Sequence, residues 1–314
     1  MTARLVVLSL LSLLALAVGP WIGPQMPAES ADFILWQLRV PRVLVGALVG
    51  AVLGIVGAAY QTIFGNPLAT PSTVGTTAGA VLGALVAVVL LDGGLVGGIP
   101  VLALAAFLGA LAVTLIVAMV ASSGRASTSD VLLAGIAITL AASALASGLQ
   151  FQADMAATFQ AVRWSLGHLG QLGFDGLWTL LPFAVVAIVA ILSQTRALDA
   201  MVAGESLAET QGVDVVRVRT LVLGVGALGV GATVALCGPI AFVGLIVPHL
   251  VRLWLTGSRR VLLPMSALVG AALLVLCDGL ARVLIEGREL PVGVLTAALG
   301  APLLLWLVVG GRRG

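Results

Sequence analysis

The sequence predicts an all-α membrane protein of about ten transmembrane helices, and three observations carry that prediction. Of 314 residues, 61% are hydrophobic and only 9% are charged, whereas a soluble domain carries about 25% charged residues. A chain this poor in charge cannot cover itself with a water-facing surface. Its mean hydropathy of +1.21 is concentrated in separate apolar runs, most of them near the ~20 residues that a helix needs to cross hydrocarbon. Barrel-type alternation is absent, and backbone groups in lipid must be satisfied internally, so the runs are helices.

In chain order the runs lie near 5–22, 43–60, 73–91, 95–121, 131–150, 177–194, 218–236, 239–255, 261–285 and 292–310. The first follows Arg4 and has the length of a signal peptide, but its apolar stretch favours a retained span. The eighth contains Pro239 and Pro248. Each removes a helical hydrogen bond, so an interruption or bend is expected there. Gly46, Gly50, Gly54 and Gly57 recur at spacings of three or four, which puts them on one helix face where backbones can approach closely. The whole chain, 1–314, reads as a single integral-membrane domain.

Ten spans place both termini on one side. If that side is cytoplasmic, Arg4, Arg125, Arg196, Arg217, Arg219, Arg252, Arg259, Arg260, Arg312 and Arg313 lie inside, and Arg39, Arg42, Arg163, Arg282 and Arg288 lie outside. That bias follows the positive-inside rule. The net charge of +2 is too small to argue for nucleic acid. Cys237 and Cys277 sit in apolar runs without metal-ligand or CxxC spacing, so they read as small buried hydrophobes and no metal site is expected. No Gly-x4-Gly-Lys-Ser/Thr loop is present, nor any pairing of a nucleophile with a base, so the chain is not expected to be an enzyme or to bind a cofactor. Apart from Asp278, no acid falls clearly inside a span, which counts against a proton- or sodium-driven secondary transporter.

Three segments carry more polar and turn chemistry than plain interhelical loops. Leu38-Arg39-Val40-Pro41-Arg42 precedes the second span, and a turn-rich corner at 61–71 with Asn66-Pro67 follows it. Residues 196–219 are dense in both charge signs. Their core can form two short helices broken at Gly204, with Met201, Val202, Leu207 and Ala208 as apolar contacts for a partner groove. The third, Cys237 to Arg252, joins the two prolines to His249.

These segments, in order, resemble the FecCD family of ABC importer permeases. The matching pieces are Leu-Arg-Val-Pro-Arg (38–42), Gln-x4-Asn-Pro-Leu-Ala-x-Pro (61–71), Gly79-Ala80, Phe-Val-Gly-Leu-Ile-Val-Pro-His-Leu-Val-Arg (242–252), Leu-Leu-Pro-Met-Ser-Ala (262–267), Asp278 with Arg282, and a glutamate-led run from Glu289 to Pro302. The resemblance implies the type II ABC importer permease fold in a bacterial inner membrane, with both termini cytoplasmic. It also implies a homodimer, two ATPase subunits that hold the ATP and magnesium, and a periplasmic or lipid-anchored substrate-binding protein. On this pattern Arg39, Arg42 and Arg282 dock the binding protein, and Asn66, Leu68, Ser127 and Thr128 form the cytoplasmic gate. Coupling helices at 199–212 engage the ATPase through Gly204, Glu205, Leu207, Ala208, Glu209 and Gly212. The family pattern Leu-Gly-Glu-x-x-Ala-x-x-Leu-Gly departs here at Ala203 and Gln211. Asp278 precedes Arg282 by four residues, an order that favours an intrahelical pair. His168 stands where the family often has serine, near the outer mouth. The family's cargoes rank here as ferric siderophore first, with haem and cobalamin as alternatives.

Overall fold

The structure is a computed structural model, and it describes residues 2–91, 95–96, 99–122, 127–170, 172–255 and 258–310. Arg125, Arg312 and Arg313, three of the arginines placed inside, fall outside the described residues.

Each predicted span is met by one helix. Seven are long and apolar enough to cross a membrane, and three apolar helices are shorter. We number the helices α1 Thr2–Val18, α2 Val40–Ile63, α3 Thr76–Leu90, α4 Val101–Ser122, α5 Thr128–Gln152, α6 Met155–Ser165 and α7 Gly173–Ser193. There follow α8 Thr195–Met201, α9 Glu205–Thr210, α10 Val215–Cys237, α11 Val243–Trp254, α12 Arg259–Val283 and α13 Val292–Gly310. A two-residue hairpin pairs Leu95–Val96 with Ile99–Pro100 ahead of α4.

Three boundaries differ from the sequence expectation for identifiable reasons. A helical lead-in from Ala28 through a π-turn at Ile34–Arg39 runs into α2. Arg39 and Arg42 therefore lie within one continuous helical segment instead of flanking its start. Hydropathy windows miss this because the lead-in carries Glu29 and Asp32. The amphipathic α6 matches none of the ten runs; its N-cap Asp154 accepts from the backbone N–H of Ala157 at 2.7 Å. The third difference is that α3 and α11 are short because irregular backbone precedes them, at 64–75 and 238–242. Ala69 and Val74 of the first irregular stretch are buried within the chain.

The core is built around α2. In its candidate span, 78% of the best window is buried inside the chain, against 67% for α10 and α12, 22% for α5 and 11% for α1. α2 packs on α12, α7 and α11, while α3, α4 and α5 form a second group joined to it through α10. Glycine makes the central contact possible. A Cβ at Gly50 of α2 would sit 2.2 Å from the carbonyl oxygen of Gly270 on α12, and one at Gly57 would sit 2.0 Å from that of Gly244 on α11. No side chain fits either place, so the backbones touch as the spacing of small residues predicted. α1 lies along α12, where Ser9 Oγ donates to Met265 Sδ at 3.6 Å.

Candidate functional site

Polar side chains gather at the two ends of the bundle. The two ends are far apart: Arg259 starts α12 beside α8, and Asp278 lies nineteen residues further along, about 28 Å at 1.5 Å per residue.

At the Asp278 end, one carboxylate organises two arginines. The Arg42 guanidinium on α2 donates from Nε to Asp278 Oδ2 at 3.0 Å and from Nη2 to Oδ1 at 2.9 Å. Its Nη1 reaches Glu289 Oε2 at 2.8 Å. Arg282 Nε lies 3.3 Å from Asp278 Oδ2, so the predicted pair four residues apart does form. Arg282 Nη2 also donates to the Gly19 carbonyl at 3.3 Å. Arg39 donates instead to the carbonyls of Pro20 and Pro24 in the turn after α1. Arg39, Arg42 and Arg282 are 8%, 9% and 4% exposed. The sequence reading treated these arginines as surface charges awaiting a partner. Within this chain they are buried and already bonded, because a desolvated guanidinium must find acceptors locally. The exposed member is Glu289, whose side chain keeps 55% of its accessibility.

At the opposite end, α8 and α9 form the two short helices expected on either side of Gly204, which adopts φ 115°. Their expected contact residues divide by face. Met201 and Ala208 are buried against the chain itself, whereas Val202 and Leu207 are 55% and 48% exposed. Glu209 also points to the exterior, and Gly212 takes a left-handed φ of 82° that ends α9. Glu205 is half-exposed and pairs with the buried Arg219 of α10. Asp199 of α8 accepts from the backbone N–H of Arg259 at 2.8 Å, so it satisfies the start of α12 from outside that helix.

The four expected gate residues sit in ordered turns. Asn66 Oδ1 accepts from the Leu68 N–H at 2.9 Å, and Leu68 itself is exposed. Ser127 caps α5 in a reciprocal box with Asp130: the Ser127 N–H donates to Asp130 Oδ2 at 2.8 Å, and Asp130 N–H donates back to Ser127 Oγ at 3.3 Å. Thr128 opens α5 and bonds Glu205. Nearby, Arg252 donates to Gln61 Oε1 at 2.7 Å, and Gln61 Nε2 donates to the Leu245 carbonyl at 3.3 Å, which ties α11 to the end of α2. His249 Nδ1 lies 2.8 Å from that same carbonyl, a satisfied structural histidine as its position suggested.

Arg219 and Glu289 were not singled out as site residues from sequence. Arg217 and Arg219 are two apart and so project to different sides of α10; Arg217 is exposed and Arg219 is 2% exposed. Spacing shows that one of them faces inward without saying which.

His168 lies in the loop between α6 and α7, where its backbone N–H donates to the Cys237 carbonyl at 2.7 Å. Its imidazole is held below the usual histidine range chiefly by desolvation, and further by the charges of Arg163 and Arg42. Cys237 and Cys277 are both buried and unpaired with one another. Among the described residues no cluster of three metal-ligating side chains occurs.

A bundle of helices long and apolar enough to cross a membrane, with a pair of short helices at one end, fits a multi-pass membrane protein. The comparisons place it further. The FecCD transport family matches residues 5–310, and the chain belongs to that family. It is 38% identical over 315 residues to the vitamin B12 import system permease protein BtuC of Escherichia coli O9:H4, covering 98% of this chain and 95% of that one. The corresponding Vibrio cholerae protein is 41% identical over 206 residues, 65% of this chain and 62% of that protein. A solved chain described as an inward-facing ABC transporter of the metal-chelate type superposes with a TM-score of 0.86 at 29% identity, covering 98% of this chain and 99% of the other. The chain is thus an ABC importer permease with the fold the sequence predicted, a class of subunit in which ATP hydrolysis lies with partner subunits.

Proposed function

We propose that this chain forms half of the translocation path of an importer for a cobalamin-type corrinoid. The observation that carries the substrate is similarity along nearly the whole chain to relatives named as vitamin B12 permeases. It outweighs the siderophore ranking drawn from the motifs, which do not distinguish cargoes within the family. The metal-chelate description of the solved neighbour keeps a ferric chelate as the second reading.

On this reading two copies pack side by side in a bacterial inner membrane, with both termini cytoplasmic. The sparsely buried α5 supports that arrangement: Leu133, Ile136, Leu140 and Leu145 lie exposed along it and need cover from lipid or a second copy. The outward Val202 and Leu207 suit a groove on the ATPase. Closure of two ATPases on ATP would shift α8 and α9 and move the gate residues Asn66, Leu68, Ser127 and Thr128, exchanging inward for outward access. A substrate-binding protein would dock over the Asp278 end. Because Arg42 is held by Asp278 and Glu289, an incoming carboxylate there must displace Glu289 or bond to the arginine edges left free. Such contacts set orientation and on-rate more than affinity.

The test is uptake into proteoliposomes containing the permease, its ATPase and the binding protein encoded beside it. Labelled cobalamin should accumulate with ATP and not with a hydrolysis-dead ATPase. Accumulation of a ferric siderophore in its place would overturn the cargo, and uptake indifferent to the ATPase would overturn the mechanism.

A further inference from the structure

Two neighbouring elements and a third far away in sequence meet at one buried guanidinium near the base of α10. Arg219 Nη2 donates to Glu205 Oε1, at the start of α9, and to Thr128 Oγ1, the first residue of α5, at 3.2 Å. The Thr128 hydroxyl in turn donates to that same Glu205 oxygen. The three groups close a triangle that joins the outward docking helix, the central helix α10 and the gate helix α5. Arg219 keeps only 3% of its side-chain accessibility, while Glu205 keeps 44%. The cation is thus anchored in the bundle, and its carboxylate partner rides on the surface element.

The surroundings give this contact leverage. α9 also presents Leu207 and Glu209 to the exterior, so a force applied there reaches the triangle across a single turn of helix. Within the chain α5 packs on α3 and α4, and only 22% of its best window is buried. Its local capping box with Asp130 orders its first turn but does not tie it to a neighbour. A charge-assisted bond that bridges a surface helix and the start of α5 is a natural point for displacement to be transmitted.

We propose that Arg219 is a positioning residue that links the ATPase-facing helix α9 to the gate at Thr128, so that movement of α9 is passed to the cytoplasmic end of α5. This rests on reading α8–α9 as the coupling element and 127–128 as part of the gate. The discriminating experiment starts from the full permease–ATPase complex carrying Ser129→Cys, an exposed position outside the triangle. Both native cysteines are buried, so maleimide labelling reports on the start of α5. In that background the labelling rate should change on adding ATP; no change, or no co-purification of the ATPase, would sink the underlying coupling reading itself.

With the background responsive, Arg219→Gln should keep ATPase co-purification and hydrolysis within about twofold, lose the ATP-dependent change in labelling, and lower uptake at least tenfold. Arg219→Lys should recover part of the uptake. Thr128→Val, which keeps side-chain volume without the hydroxyl, should reproduce the loss, and Thr128→Ser should restore it. If Arg219→Gln fails to fold, the Thr128 pair reads the same quantities. Normal uptake with ATP-responsive labelling in Arg219→Gln and Thr128→Val overturns the link, and so does loss of ATPase co-purification on Arg219→Gln in place of uncoupling.

Discussion

The two polar ends of the molecule solve one problem differently. At the Asp278 end the carboxylate is 1% exposed and is shared by Arg42 and Arg282, so both charges and their acceptor lie inside the bundle. At the α9 end the arginine is buried but its carboxylate is half in solvent. The first arrangement is closed and ties α2 to α12 directly. The second is open on one side, and its acidic member can move with a surface helix. The difference separates a fastening from a joint, because water can replace a lost partner at the second place and not at the first.

That contrast can be broken by substitution. The largest effect is expected for Asp278→Ala, which leaves two buried guanidiniums without their shared counter-charge. Removing one partner of a buried ion pair costs about 3–5 kcal/mol, read as a fall in the thermal unfolding midpoint of the detergent-purified chain. A loss no greater than that of Glu205→Gln would abolish the distinction between the two ends. Next comes Gly50→Val, midway along the α2–α12 contact. The added side chain meets the Gly270 backbone, and overpacking costs about 1–3 kcal/mol. It should destabilise the chain without altering the salt dependence of unfolding.

Glu205→Gln is expected to cost about 1 kcal/mol at most, the range of a pair whose acid is solvent-exposed, and high salt should narrow the difference from wild type. The smallest effect concerns His168. Its folded pKa is depressed, so the unfolded chain takes up the proton first, and stability present above the ordinary histidine pKa is lost as pH falls through the lowered value. His168→Gln should therefore flatten the acid side of the stability profile below the ordinary histidine pKa of about 6.5. An unchanged slope would mean that neither burial nor the nearby arginines lower the pKa of the ring.

Much of the architecture was legible in the sequence. Ten runs became ten apolar helices because hydrocarbon thickness sets a length that hydropathy reads directly. Gly204 divided α8 from α9, and the Asp278–Arg282 spacing gave a pair, since both are local relations. α6 escaped because an eleven-residue amphipathic helix leaves no long apolar run. The inward turn of Met201 and Ala208, against the outward turn of Val202 and Leu207, was not readable either. In helices of seven and six residues the periodicity is too short to show which face is covered.

By itself, then, the sequence determined a multi-pass helical bundle, its close-packed glycine contacts and its family, because composition, run length and ordered motifs are properties of the chain read in one dimension. Only the tertiary structure decided where the charges go. Arg42 meets Asp278 across 236 residues and Arg219 meets Thr128 across 91. The arginines assigned to docking a binding protein are buried and bonded within the chain, since a guanidinium drawn into an apolar bundle is stable only where packing brings an acceptor to it.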